Sequence, residues 1–135
     1  MMETPMDRID KILNHDLFLY HLGRNNAAEA DRRFCRHSMV HFLDVARIGT
    51  IIALEEGLKI DREWIYAAAL LHDCGKHEQY ENGTPHEQAS ARIAPEILKA
   101  CGFDDEETGV IVTAISRHRD PEAAREKNLN GILYR

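Results

Sequence analysis

Residues 70–76 read LLHDCGK, an imidazole and a carboxylate set side by side at the end of an apolar run that begins at Trp64. Burying an ionised carboxylate without a partner costs several kcal/mol, on the order of a small domain's whole net stability. Metal coordination removes that cost for both groups. Imidazole offers a nitrogen ligand suited to Zn, Fe, Mn or Ni, and a carboxylate can bridge two ions through its two oxygens. Neighbouring helical residues point about 100° apart, so His72 and Asp73 can both reach a cavity at the helix end but cannot share one narrow stripe. Of the eight histidines, His41, His86 and His118 also stand at helix ends or beside inward residues. So many buried imidazoles would not go without partners. His37 lies four residues before His41, on much the same helical face, and competes with it for one role. Lys76, Arg117 and Arg119 could add positive potential, Lys76 as a phosphate contact or as an orienter of Asp73. His77 could reach a substrate from the loop after the doublet, whereas His15 and His21 read as surface or cap residues. Cys74 reads as a small packed residue rather than a nucleophile.

The elements that must position these groups are helical throughout. Short helices are expected over 5–13 and 16–23, the second broken by Gly23 and the Asn25-Asn26 pair. From Ala27 to Glu56 no proline intervenes, and Phe34, His41, Val45, Ile48 and Ile52 follow three- and four-residue spacing, which predicts one long amphipathic helix. Asp61 is the N-cap of the next helix and Gly75 is placed to end it. A polar loop, KHEQYENGTP, then leads to a helix from about His86 to Ala100, with Ala89, Ile93, Ile97 and Leu98 inward and Pro95 a kink. Acidic residues 104–107 suit the start of a further helix that runs to about His118, carrying Val110, Ile111, Ala114 and Ile115. NLNGILYR opens a last helix that stops while still apolar, as if the chain were cut.

Composition narrows the class. The 135 residues suit a single compact all-α domain, residues 1–26 serving as N-terminal capping helices and the C-terminal helix being incomplete. With 44% hydrophobic and 30% charged residues, the chain is neither a disordered tail nor a membrane protein. A net charge of −6 disfavours extended nucleic acid as a partner and leaves a small phosphorylated molecule open. The three cysteines, Cys35, Cys74 and Cys101, show no paired CxxC spacing, so a reducing cytoplasm is expected; no stretch approaches the length of an apolar membrane span and the N-terminal residues lack the apolar core of a signal peptide, so neither these nor a membrane partner is expected.

These residues resemble the HD-domain metal-dependent phosphohydrolases, which carry a lone His, a later His-Asp doublet and a distal Asp. HFLDVAR at 41–47 is similar to the family's first motif and AALLHDCGK at 68–76 to its second; TPHEQASARIAPEIL and AISRHRD resemble the two further His motifs of members that hold two ions. The resemblance implies a compact multi-helix HD fold and makes His41, His72, Asp73, His86 and His118 the metal ligands, with Asp73 catalytic as the bridge and Lys76 beside it. Lys76, Arg117, Arg119 and His77 become substrate contacts. The implied cofactors are one or two divalent ions, Fe, Mn, Zn, Ni, Co or Mg. The family's last ligand, an Asp on the final helix, has no counterpart before Arg135; either the natural chain continues or Asp120 substitutes. Two ions about 3.5–4 Å apart would support hydrolysis of a phosphoester or phosphoanhydride by an activated water. The four-His pattern is similar to that of HD-type diadenosine tetraphosphate hydrolases, which makes a nucleotide the expected substrate. A di-iron oxygenase of the same superfamily and a non-catalytic HD module with an incomplete site are the alternative readings.

Overall fold

A computed structural model describes residues 7–28 and 39–134, which form helices and turns with no strand among them. The helices are α1 (Asp7–Leu13), α2 (Asp16–Ala28), α3 (Met39–Glu55), α4 (Arg62–Leu71), α5 (Lys76–Asn82), α6 (His86–Ala100), α7 (Asp105–Ser116) and α8 (Leu129–Tyr134), with a 3-10 turn at Pro121–Arg125. The fold is all-α, as the sequence predicts. None of the described helices is long and apolar enough to cross a membrane.

Helix α4 is the axis of the molecule because its sequence leaves it no polar side: Ile65, Ala67, Ala68, Ala69, Leu70 and Leu71 are all buried. It contacts α1, α3, α6, α7 and α8. Phe18, Phe42, Ile97, Leu98, Ile111 and Ile115 fill the space around it, and burying each such side chain stabilises the fold by about 1.5–3 kcal/mol. Caps set the starts. Asp61 accepts a hydrogen bond from the Glu63 N–H at 2.8 Å, and Asp104 with Glu107 forms a reciprocal capping box at α7. Arg8 joins α1 to both helices, donating from Nε to Glu63 at 2.8 Å and from Nη1 to Glu107 at 2.8 Å, while Trp64 Nε1 donates to Glu107 at 2.7 Å.

Several local expectations need correction. Helix α2 runs through Gly23 and the Asn pair to Ala28, because the Asn25 side chain is fully buried and bonded to another part of the chain rather than to its own backbone. The inward face of α3 is Phe42, Ala46, Gly49 and Ala53 rather than the stripe through His41, Val45 and Ile48. Small residues face the core there because the approach is close: a Cβ on Gly49 would meet Ile132 at 3.0 Å and Ile65 at 3.1 Å. Of the expected 27–56 helix, Ala27 and Ala28 belong to α2 and Met39–Glu55 forms α3, while Phe34, Cys35 and His37 lie outside the described residues. Most of the supposed polar loop is α5, which Gly83 ends in the left-handed conformation at φ 80°. Gly75 precedes α5 instead of ending α4, which stops at Leu71.

Candidate metal centre

The doublet sits on a one-turn connection between α4 and α5. His72 caps α4, its N–H bonded to the Ala68 carbonyl, and the Lys76 N–H returns to the Asp73 carbonyl at 3.0 Å. Gly75 lets α6 lie directly on this turn: a Cβ there would stand 2.7 Å from atoms of Ala89 and Ser90. The Gly75 N–H donates to Ser90 Oγ at 2.9 Å. That contact brings the first residue of α6, His86, over Asp73. His118 follows the end of α7, and His41 comes from the first turn of α3.

Two groups of donors result, His41–His72–Asp73 and Asp73–His86–His118, with Asp73 common to both. Within each, the donor atoms lie within 4.8 Å of one another. His72, Asp73, His86 and His118 are buried, and His41 is exposed. His72 Nε2 is 3.3 Å from Asp73 Oδ2, while His86 and His118 Nε2 are 3.4 and 3.6 Å from Oδ1. The two latter nitrogens are 3.2 Å apart. Two cis donors at about 2.1 Å from one ion stand about 3.0–3.4 Å apart, so that spacing suits a shared ion.

Hydrogen bonding on the far side of each ring supports the same assignment. Nδ1 of His72 and of His118 each faces the carbonyl three residues back, Ala69 and Ile115, at 2.6 Å. Nδ1 of His86 faces Gln79 Oε1 at 2.7 Å. An oxygen acceptor fixes Nδ1 as the N–H, which leaves each neutral ring's Nε2 lone pair aimed at the carboxylate. Lone pairs and a carboxylate converging in this way require a cation or proton between them, and the donor set therefore fits a divalent ion. Burial, the largest influence on His72, pulls its pKa down, but the charge and hydrogen bond of Asp73 and the Ala69 carbonyl outweigh it and leave the pKa raised. Burial pushes His86 down to about 4, with His118 and Lys76 adding to the effect against Asp73. His86 is thus neutral, in its ligand form, near pH 7.

The remaining candidates divide. Lys76 opens α5 close enough to influence His72 and His86 electrostatically. Arg119 is exposed and forms no ion pair among the described residues; it borders two pockets. One, of about 340 Å³, is polar and lined by Gln79, His86 and Glu87; the other, of about 270 Å³, is lined by Val45, Ile48, His72, His118 and Ile132. Arg117 is not available to a substrate in the same way: it pairs with Asp120 at 3.1 Å and with Glu126, fastening the 3-10 turn. Asp120 stands in neither donor group, its oxygens being taken by Arg117 and the Glu122 N–H. His77 is buried, with Nε2 2.9 Å from His21 Nδ1, so neither is a surface residue and His77 does not reach outward. His15 is a cap, accepting from the Leu17 N–H. Cys74 is packed, and burial pushes its thiol up to about 12. A larger cleft of about 490 Å³ between α7 and α8 contains no imidazole, so cavity size does not locate the chemistry.

Sequence reasoning missed Asn25, Gln79 and Ser90. Gln79 lay in a stretch read as loop, and nothing in the sequence pairs Ser90 with Gly75. The bonds from His72 and His118 to carbonyls three residues back were findable, since the last carbonyls of a helix lack partners and a His just past its end can reach them.

The sequence profile of the HD domain matches residues 39–134. A curated protein of Clostridium beijerinckii, described as an uncharacterized protein, is 48% identical over 130 residues, covering 96% of this chain and 81% of that protein. No solved structure matches the chain. The chain belongs to the HD domain family, a superfamily of the metal-dependent phosphohydrolase type.

Proposed function

We propose that the chain is a metal-dependent phosphohydrolase whose His41, His72, Asp73, His86 and His118 hold two divalent ions, and whose substrate is a nucleotide or another small phosphorylated metabolite. The observation that carries this reading is the sharing of Asp73 by two three-residue donor groups. Bound ions supply Lewis acidity and an activated water. The protein's own part is placement. Backbone carbonyls and Gln79 fix the imidazole tautomers, Asp73 turns one oxygen toward each imidazole set, and Lys76 and Arg119 supply cationic contacts for phosphoryl oxygens. Arg119 lines both a polar pocket and a more apolar one, which suits a phosphorylated molecule with a larger organic part and keeps nucleotides, dinucleoside polyphosphates included, among the candidates.

The test is metal analysis of the purified protein, then phosphate release from nucleotides, dinucleoside polyphosphates and cyclic nucleotides with Mn, Co, Ni, Zn, Mg or anaerobic Fe(II). Hydrolysis of at least one class with about two ions bound is expected. Full metal content with no hydrolysis across the panel refutes the reading, and oxygen uptake with the iron form assigns the chain to oxygenase chemistry instead.

A further inference from the structure

We infer that Asn25, on a helix outside the segment matched by the HD family profile, is a positioning residue for Asp73; the inference rests on the metal reading above and assigns α2 a part in it. Phe18, His21 and Asn25 fall on one face of α2 at the three- and four-residue spacing of a helix, and all three are buried. Phe18 belongs to the apolar core. The other two grip the turn that carries the doublet. Asn25 Nδ2 donates to the Asp73 carbonyl at 2.9 Å, and Asn25 Oδ1 accepts from the His77 N–H at 2.8 Å. Four residues back along α2, His21 Nδ1 meets His77 Nε2 at 2.9 Å, their rings stacked at 5.1 Å.

A buried Asn with its oxygen and one N–H matched to main-chain groups four residues apart in sequence acts as a gauge for that turn. The group it holds is the carbonyl of the very residue whose carboxylate both donor groups share. The Asp73 main chain, from which the carboxylate projects, cannot shift without pulling its carbonyl off Asn25 and leaving a buried amide unsatisfied, which is costly. Residues that orient a ligand in this way from behind it affect metal affinity by about 10- to 100-fold when replaced. Because the lever acts on the shared carboxylate, both ions should weaken together.

The experiment compares Asn25→Leu, near in size but without hydrogen bonds, with Phe18→Leu, which loosens the same helix while leaving the turn's bonds intact. Mn(II) and Co(II) affinities are measured by titration, and hydrogen exchange of the metal-free proteins is followed at the Lys76 and His77 amides. Asn25→Leu should lose about 10- to 100-fold in affinity at both sites and exchange His77 at least 10-fold faster, whereas Phe18→Leu should lower the melting temperature without either change. Unaltered exchange at His77 in Asn25→Leu, or an equal affinity loss in Phe18→Leu at matched stability, overturns the inference. If the wild type takes up no divalent ion, the metal reading itself fails, and the exchange comparison still decides whether Asn25 holds the turn.

Discussion

Replacing Asp73 with Asn removes the one donor common to both groups while nearly preserving shape, so it should cost more metal binding than removal of any single histidine. At a free ion concentration 100-fold above its dissociation constant, each ion bound to the native state alone adds about 2.7 kcal/mol of stability. For a chain of this length about 1 kcal/mol moves the melting temperature by roughly 3–5 °C, so each ion should raise it by about 8–13 °C. The arrangement of donors then predicts a pattern rather than one number. Wild type should show two such increments as metal is titrated. His41→Ala and His118→Ala, each belonging to one group only, should keep about half the total shift, and Asp73→Asn should show almost none. Thermal melts across a Mn(II) or Co(II) series, with circular dichroism confirming that each variant is folded, read this directly. A full metal shift in Asp73→Asn, or a complete loss in His41→Ala, would refute the shared-carboxylate geometry.

Burial would raise the Glu107 carboxyl, but hydrogen bonds from Trp64 and the Asp104 backbone, together with Arg8, hold it below the ordinary value of 4.5. Its contribution is therefore complete above pH 4.5 and lost as pH falls through its lowered native value, so Glu107→Gln should flatten the stability curve in that acid window, as urea unfolding between pH 3 and 6 will show. Gly75→Ala drives a methyl to 2.7 Å from backbone atoms of α6 and should cost about 1–3 kcal/mol in urea unfolding while also weakening metal binding, since the same approach carries His86. Arg119→Gln should raise KM for the phosphorylated substrate about 10-fold with little change in melting temperature. Arg117→Gln should do the reverse, leaving KM unchanged and lowering stability by about 1 kcal/mol or less, since its ion pairs are part-exposed.

The legible part of this protein was its local chemistry. Capping by Asp61, the acidic start of α7 and the burial of α4 were readable because each depends on residues within a turn or two of one another. The errors share a cause as well. Asn25 has the composition of a helix breaker, since a free Asn competes with its own backbone, but here its side chain is engaged 48 residues away and the helix continues. Residues 76–82 look like loop by polarity alone, yet a buried His77 and the left-handed Gly83 make them α5. On α3 the larger apolar residues suggested one face, whereas the close approach of α8 selected the face bearing Ala46 and Gly49.

By itself the sequence determined the helical class and the motif pattern, because motif spacing and amphipathic period are properties of neighbours along the chain, and the resemblance carried by those motifs implied the five metal-ligand candidates. Only the tertiary structure decided that Asp73 is shared between two donor groups, that Arg117 is committed to Asp120 and Glu126 whereas Arg119 forms no ion pair among the described residues, and that α2 bonds to the turn carrying the doublet. Those outcomes depend on which side chains from distant segments compete for the same partner: Arg117 is drawn to Asp120 and Glu126, and Asn25 to the Asp73 carbonyl. Such competition is settled by packing in three dimensions.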